Sequence, residues 1–118
     1  MLPRRFRLRQ KDDLVRLREQ GRRFRHPLAI LLVQANDAET SRFAFMASRR
    51  VGNAVARNRA KRLLREAVRA HLEDAKSGWD CFLIARSSTP EAPFSEVKAA
   101  VGELLTRARL LGGERDEP

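Results

Sequence analysis

Three stretches of the chain have the hydrophobic pattern of β-strands. The run from Leu28 to Val33 is continuously apolar, which is typical of a strand buried on both faces. The segment from Arg42 to Ser48 alternates, so that its two phenylalanines fall on the same face of a strand. A third run, from Asp80 to Ala85, is again mostly apolar. These segments predict at least three strands of one sheet.

Three other segments space their apolar residues as amphipathic helices do. The first spans about Lys11–Gln20 and ends at Gly21, and the second spans about Ala54–Glu73 with Asn53 as its N-cap. The third spans about Ser95–Leu110. The order is helix, two or more strands, helix, strand, helix. This order predicts an α/β fold of the α+β type, a two-layer sandwich of a mixed sheet packed by helices.

The length of 118 residues is that of one domain. We expect a single domain over residues 1–111. Within it, residues 1–9 are basic and are predicted to form an extended, flexible arm until a partner binds. Residues 112–118 are predicted to form a disordered tail.

The charge of the chain indicates a polyanionic partner. Lys and Arg number 25 against 15 acids, which gives a formal net charge of +10. The excess is confined to one part of the chain, because residues 1–69 hold 19 basic and 6 acidic side chains and the remainder is slightly acidic. Nucleic acid and an anionic membrane surface are the two partners that such a charge favours.

Other classes of function have little support. No apolar run approaches the roughly 20 residues that cross a bilayer, and no signal peptide is expected. The single cysteine, Cys81, fits a reducing compartment, so we expect a cytoplasmic protein and a packing role for the thiol. His26 and His71 have no acidic or thiol companion at ligand spacing, so no catalytic residue and no metal ligand is predicted.

The second helix carries the candidate chemistry. Residues 49–69 contain eight basic side chains and one acid. At 100° per residue, five polar side chains fall within an arc of about 100°, and the apolar side chains fall on the opposite side. The five are Asn58, Lys61, Arg62, Arg65 and Arg69. Guanidinium groups bind phosphate oxygens in a bidentate manner, so this side predicts an RNA-binding ridge.

The stretch from Gly52 to Arg65, with the pattern G-N-A-V-x-R-N-R-x-K-R-L-x-R, resembles the RNR motif of the bacterial ribonuclease P protein subunit. The match is dense and ungapped. The resemblance extends to Arg7-Leu8-Arg9 with the helix that follows, to the strand from Phe43 to Arg50, and to the strand from Asp80 to Arg86. The last helix is similar only in its hydrophobic pattern.

The resemblance implies a four-stranded sheet with an unusual left-handed β-α-β crossover. It also implies an endoribonuclease that is a ribonucleoprotein, in which the RNA subunit carries catalysis and the protein is accessory. The implied partners are the catalytic RNA of ribonuclease P and precursor tRNA, whose 5′ leader is removed. Mg²⁺ is held mainly by the RNA, and neither a membrane nor an obligate protein partner is expected.

Two sets of site residues follow from the resemblance. The motif and its flanks are predicted to contact the RNA subunit: Arg49, Arg50, Arg57, Asn58, Arg59, Lys61, Arg62, Arg65 and Arg69. A cleft between the first helix and the sheet is predicted to take the leader: Arg7, Arg9, Leu14, Arg18, Leu32 and Arg86. The family often has aromatic residues at positions 14, 18 and 32, so leader binding here is expected to depend more on charge.

Three alternatives compete with this interpretation. A structural RNA-binding protein of ribosomal type would share the fold but would not need the motif at Arg57 to Arg65. A stand-alone protein nuclease would need acids clustered for a metal, and Asp12, Asp13 and Glu66 do not form such a set. A membrane-surface helix is disfavoured because both sides of the second helix already have predicted partners.

Overall fold

The computed structural model describes residues 2–36 and 38–111. Its regular elements are four strands and three α-helices, joined by short 3₁₀ turns. In chain order they are α1 (Lys11–Gln20), β1 (Arg22–His26), β2 (Ala29–Ala35), β3 (Arg42–Met46), α2 (Ala54–His71), β4 (Trp79–Ala85) and α3 (Phe94–Arg107). The predicted α/β class is confirmed.

The four strands form one mixed sheet in the order β1-β2-β4-β3. The pairs β1–β2 and β2–β4 are antiparallel, whereas β3 and β4 are parallel. Because parallel neighbours cannot be joined by a hairpin, the chain returns from β3 to β4 through α2. The β-α-β unit is therefore present, and the left hand of its crossover stays a prediction.

Helices α2 and α3 pack against one face of the sheet and form the larger core. Leu31, Val33 and Leu83 point from the strands into this layer, and Leu64 and Leu104 point into it from the helices. The inward side of α3 was predicted from its spacing, and Val97, Val101, Leu104, Leu105 and Ala108 are all buried. These contacts bury one side of α2 and leave the other side exposed to solvent.

Helix α1 packs against the opposite face of the sheet. Leu17 contacts a smaller cluster that contains Leu32, Ala44 and Phe82. Gly21 ends the helix as expected, since its N–H donates to the carbonyl of Leu17 at 2.9 Å. Because α1 is only ten residues long, it covers part of this face, and Met46 and Ile84 beside it stay half-buried. We call this partly covered surface beside α1 the cleft.

The hydrophobic pattern did not predict β1. Its sequence, Arg22-Arg23-Phe24-Arg25-His26, has one apolar residue, so there is no alternation to detect. The strand is stabilised by pairing along the whole of its length with β2 and by Phe24, which packs on the larger core. The guanidinium groups of Arg22 and Arg107 lie 5.3 and 5.9 Å from the centre of its ring.

The expectation of an extended, flexible arm at residues 1–9 is wrong for residues 2–9. Leu2 and Leu8 are buried, and residues 4–6 form a 3₁₀ turn. The N–H of Leu8 donates to the carbonyl of Phe43 at 2.7 Å, so the segment packs along the free edge of β3. Burial of two leucines outweighs the mobility that the charge suggested. The predicted tail at 112–118 lies outside the described residues.

A buried carboxylate ties α1 to the sheet. Asp80 on β4 is fully buried, and Arg42 on β3 donates to both of its oxygens at 3.0 and 2.9 Å. Arg16 on α1 donates to the same carboxylate at 2.9 Å, and the side chain of Asn36 donates at 2.7 Å. The hydrogen bond to Asp80 raises the pKa of Arg42, which therefore stays charged.

We predict that Asp80→Asn lowers the free energy of unfolding by about 2–3 kcal/mol. Breaking a buried pair costs about 3–5 kcal/mol, and the loss is smaller here because Arg16 and Arg42 keep contact with water. Urea denaturation monitored by circular dichroism measures the change. Asp13→Asn is the control, since its carboxylate joins Arg16 at 3.2 Å near the surface and should contribute less than about 1 kcal/mol. Equal losses in the two variants would contradict the buried network.

Candidate nucleic-acid interface

The chain turns into α2 through a glycine whose backbone conformation disfavours any side chain. Gly52 has φ +142°, a conformation that other residues rarely adopt, and a Cβ there would lie 2.9 Å from Cβ of Ala56. Asn53 then caps the helix as predicted, because its side-chain oxygen accepts the N–H of Ala56 at 2.9 Å. Arg49 and Arg50 lie in the 3₁₀ turn just before, and both are exposed.

Helix α2 has the two sides that its sequence predicted. Ala60, Leu64, Ala67 and Val68 are buried against the sheet and α3. The polar side chains lie elsewhere on the helix, and we call them the basic face: Arg57, Asn58, Arg59, Lys61, Arg62, Arg65 and Arg69. Of these, Asn58, Arg59, Arg62 and Arg69 are exposed and the other three are half-buried.

The single acid of α2 neutralises little of the positive charge on the basic face. Helix α2 contains six Lys and Arg residues and one acid. That acid, Glu66, lies 3.5 Å from Nε of Arg69, and both side chains are about half exposed. One carboxylate neutralises at most one of six cations, so the helix presents a net positive charge to solvent.

Arg65 connects the basic face to the N-terminal segment. Its guanidinium lies 5.4 Å from the ring centre of Phe45 on β3. There it lines a hollow of about 410 Å³, here called the edge hollow, to which Arg7, Arg9 and Leu14 also contribute. The structure therefore brings together members of both predicted sets, three cations in all, around the free edge of β3.

The cleft beside α1 contains two of the predicted leader-binding residues. Leu14 is half-buried, and Arg18 is exposed, with its guanidinium 5.9 Å from the ring centre of Phe82. Arg18 also donates to Sδ of Met46 at 3.1 Å. Leu32, in contrast, is only 1% exposed beneath α1. Its predicted contact with the leader is therefore wrong, because the α1 packing removes it from the surface.

Arg86 lies apart from the edge hollow. It lines a second hollow, of about 510 Å³, together with Arg25 and His26, and it donates to the carbonyl of His26 at 3.4 Å. Sequence reasoning also missed Arg23 and Arg25 on β1. Both are exposed and alternate with Phe24, so they lie on the α1 side of the sheet. Only a prediction of β1 would have revealed them.

The other titratable candidates have packing roles. Nε2 of His71 donates to the carbonyl of Lys98 at 3.0 Å, and Nδ1 of His26 accepts the N–H of Leu28 at 3.0 Å. Cys81 is buried, and its burial together with the nearby Asp80 raises the pKa of the thiol far above its usual range. The described residues contain no group of three or more His, Cys, Asp and Glu side chains placed to hold a metal ion. No helix in residues 2–36 and 38–111 has the length and hydrophobicity to span a bilayer.

The chain is similar in sequence to one protein family over nearly all of its length. The family profile described as Ribonuclease P matches residues 2–109. The ribonuclease P protein component of Chloroflexus aurantiacus is 41% identical over 113 residues, which cover 95% of this chain and 84% of that protein. The ribonuclease P protein component of Herpetosiphon aurantiacus is 38% identical over 112 residues, which cover 95% of this chain and 90% of that protein.

Solved structures have the same fold. The RNase P protein of Thermotoga maritima superposes with a TM-score of 0.77 at 28% identity, over 86% of this chain and 96% of that one. The RNase P protein of Staphylococcus aureus superposes with a TM-score of 0.81 at 22% identity, over 91% of this chain and 98% of that one. The second likeness supports the fold alone.

Gly52→Ala should lower the free energy of unfolding by about 1–3 kcal/mol, because the new Cβ meets Ala56 in a backbone conformation that alanine avoids. Thermal and urea denaturation measure this change. An alanine that fits its site usually stabilises a protein by about 0.4–1 kcal/mol. A variant as stable as the wild type, or more stable, would therefore contradict the requirement for glycine at the entry into α2.

Proposed function

The chain belongs to the ribonuclease P protein family, and from that premise we propose that it binds the catalytic RNA of ribonuclease P and the 5′ leader of precursor tRNA. In this role it assists the Mg²⁺-dependent endonucleolytic removal of the leader. The single observation that carries the proposal is the basic face of α2, with six cations and one acid on a helix whose other side is buried.

The basic face suits a folded RNA better than a flat anionic surface. Arg62 and Arg69 are exposed, whereas Arg57, Lys61 and Arg65, which are spaced four residues apart on one side of the helix, are half-buried. The last of these reaches Phe45 on the edge strand β3, so the cations extend from the exposed side of α2 to that edge. Phosphates of an RNA backbone that turns around this edge would meet them in succession, and Arg forks would bind those phosphates in a bidentate manner.

The leader is assigned to the cleft on the α1 side of the sheet. Arg7 and Arg9 stand at one end of it beside Leu14, and Arg18 lies across Phe82. Arginine stacks on bases through its planar guanidinium and also binds phosphate, so it replaces part of what an aromatic residue would contribute. This supports a leader site that depends on charge and on arginine stacking.

We assign the chemical step to the RNA partner and Mg²⁺ to that RNA. The described residues bring no metal-ligating cluster together, and the acid on the basic face is paired with Arg69. The residues of this chain then bind and orient the two RNAs and lower their mutual repulsion. The buried thiol of Cys81, which forms no disulfide among the described residues, supports action in the cytoplasm.

We predict that the protein stimulates cleavage of precursor tRNA by bacterial ribonuclease P RNA at low Mg²⁺. Changing Arg57, Arg59 and Arg65 together to Gln should remove most of that stimulation, because three phosphate-binding charges are lost. The measurement is the single-turnover cleavage rate at several Mg²⁺ concentrations, with gel separation of leader and mature tRNA.

The matched control changes Lys76, Lys98 and Arg109 together to Gln. These three exposed cations lie outside the basic face, and their loss lowers the net charge by the same amount. It should retain the stimulation. Equal loss in both triple variants would mean that total charge matters and the placement of the cations does not, and full stimulation by the first variant would refute the role of the basic face.

A second prediction concerns the leader. Arg9→Gln combined with Arg18→Gln should weaken binding of leader-bearing precursor tRNA to the assembled particle about tenfold, equivalent to about 1.4 kcal/mol. Binding of mature tRNA should change little, since it has no leader to contact the cleft. Filter binding with both RNAs measures the two affinities, and the double variant Lys76→Gln with Lys98→Gln is the control. An equal loss for mature tRNA would argue against a leader cleft.

A further inference from the structure

A separate hollow lies between the first turn of α2 and the 3₁₀ turn Thr89–Glu91. Its volume is about 520 Å³, within the range of small-ligand pockets. Six residues line it: Asn53, Val55, Ala56, Arg59, Pro90 and Glu91. We call it the α2-entry hollow. It adjoins the basic face, because Arg59 belongs to both.

Two apolar residues line the α2-entry hollow, and hydrogen bonds fix the turn that carries one of them. Val55 is 75% exposed, an unusual position for a branched apolar side chain on a helix that is otherwise basic towards solvent. Pro90, which also lines the hollow, is buried. The neighbouring Thr89 fixes the turn, since its hydroxyl donates to the carbonyl of Leu28 at 2.7 Å and accepts the N–H of Arg86 at 2.9 Å.

The polar groups of the hollow comprise two hydrogen-bond donors and one acceptor. Arg59 offers a planar cation, and Asn53 offers its amide NH₂, because its oxygen is already bonded to the N–H of Ala56. Glu91 adds a carboxylate. A phosphate at this place would be repelled by Glu91 and would gain nothing from Val55 or Pro90. A flat group with an apolar surface, with N–H donors towards Glu91 and acceptor atoms towards Arg59 and Asn53, fits all of these features.

We propose that the α2-entry hollow binds an unpaired guanine base of the RNA partner. This inference rests on the proposed function. The base lies against the exposed side chain of Val55, the carboxylate of Glu91 accepts hydrogen bonds from the guanine N1–H and N2–H₂, and the neighbouring O6 faces the donors of Arg59 and Asn53. Among the four bases, guanine alone presents two adjacent N–H donor groups on its Watson–Crick edge. Single-stranded segments, whose bases are unstacked, are the parts of an RNA that proteins read in this way.

The direction in which Glu91→Gln changes the affinity for RNA tests the proposal. Glu91→Gln removes a negative charge beside the basic face, so electrostatics alone would tighten RNA binding. If Glu91 accepts two hydrogen bonds from a base, the same change weakens binding of bacterial ribonuclease P RNA, by about fivefold or more. Glu96→Gln is the matched control, because Glu96 is exposed on the first turn of α3 and does not line the hollow. Its affinity should be unchanged or slightly higher.

Chemical probing of the same RNA identifies the base. Kethoxal modifies N1 and N2 of unpaired guanines, the two atoms assigned to Glu91. The wild-type protein should protect one guanine that becomes reactive again with Glu91→Gln and with Val55→Ser, while other protections remain. Tighter binding by Glu91→Gln with no guanine regaining reactivity would overturn the inference and leave the proposed function intact. A wild-type chain that does not bind the RNA would overturn both.

Discussion

Helix α2 has to bury one side against the sheet and α3 while it presents closely spaced cations on the other. Like charges four residues apart, as in Lys61–Arg65 and Arg65–Arg69, each cost a helix a few tenths of a kcal/mol. Full burial of side chains such as Leu64 and Val68 contributes about 1.5–3 kcal/mol each. Packing therefore outweighs the repulsion, and the fold keeps a row of cations on an ordered helix without pairing most of them with acids.

The edge of β3 is where the basic segments of the chain meet. An unpaired edge strand exposes backbone groups, and here the segment around Leu8 covers that edge by bonding to Phe43. This packing holds Arg7 and Arg9 beside the sheet, while Arg65 reaches the same place from α2. On the α1 side, the buried Asp80 holds α1 against β3 and β4 through Arg16 and Arg42.

The sequence predicted the elements that have a regular hydrophobic period. α1, β2, β3, α2, β4 and α3 were all expected near their observed bounds, and the cap at Asn53 was identified. β1 was not, because Phe24 alone gives no period and the strand depends on pairing with β2. The charge of residues 2–9 predicts a mobile arm, whereas the burial of Leu2 and Leu8 shows that two apolar residues in a basic segment are enough to dock it.

The separation of basic and apolar sides on α2 can be read from the sequence alone, since both follow from one local geometry of 100° per residue. The excess of positive charge in the first 69 residues was equally readable. Which distant residues share a site depends on the three-dimensional fold. It placed Arg65 with Arg7, removed Leu32 from the surface, put Arg86 in another hollow and brought Glu91 next to Val55. Those outcomes depend on strand pairing and helix packing between residues far apart in the chain, and a local period contains no information about either.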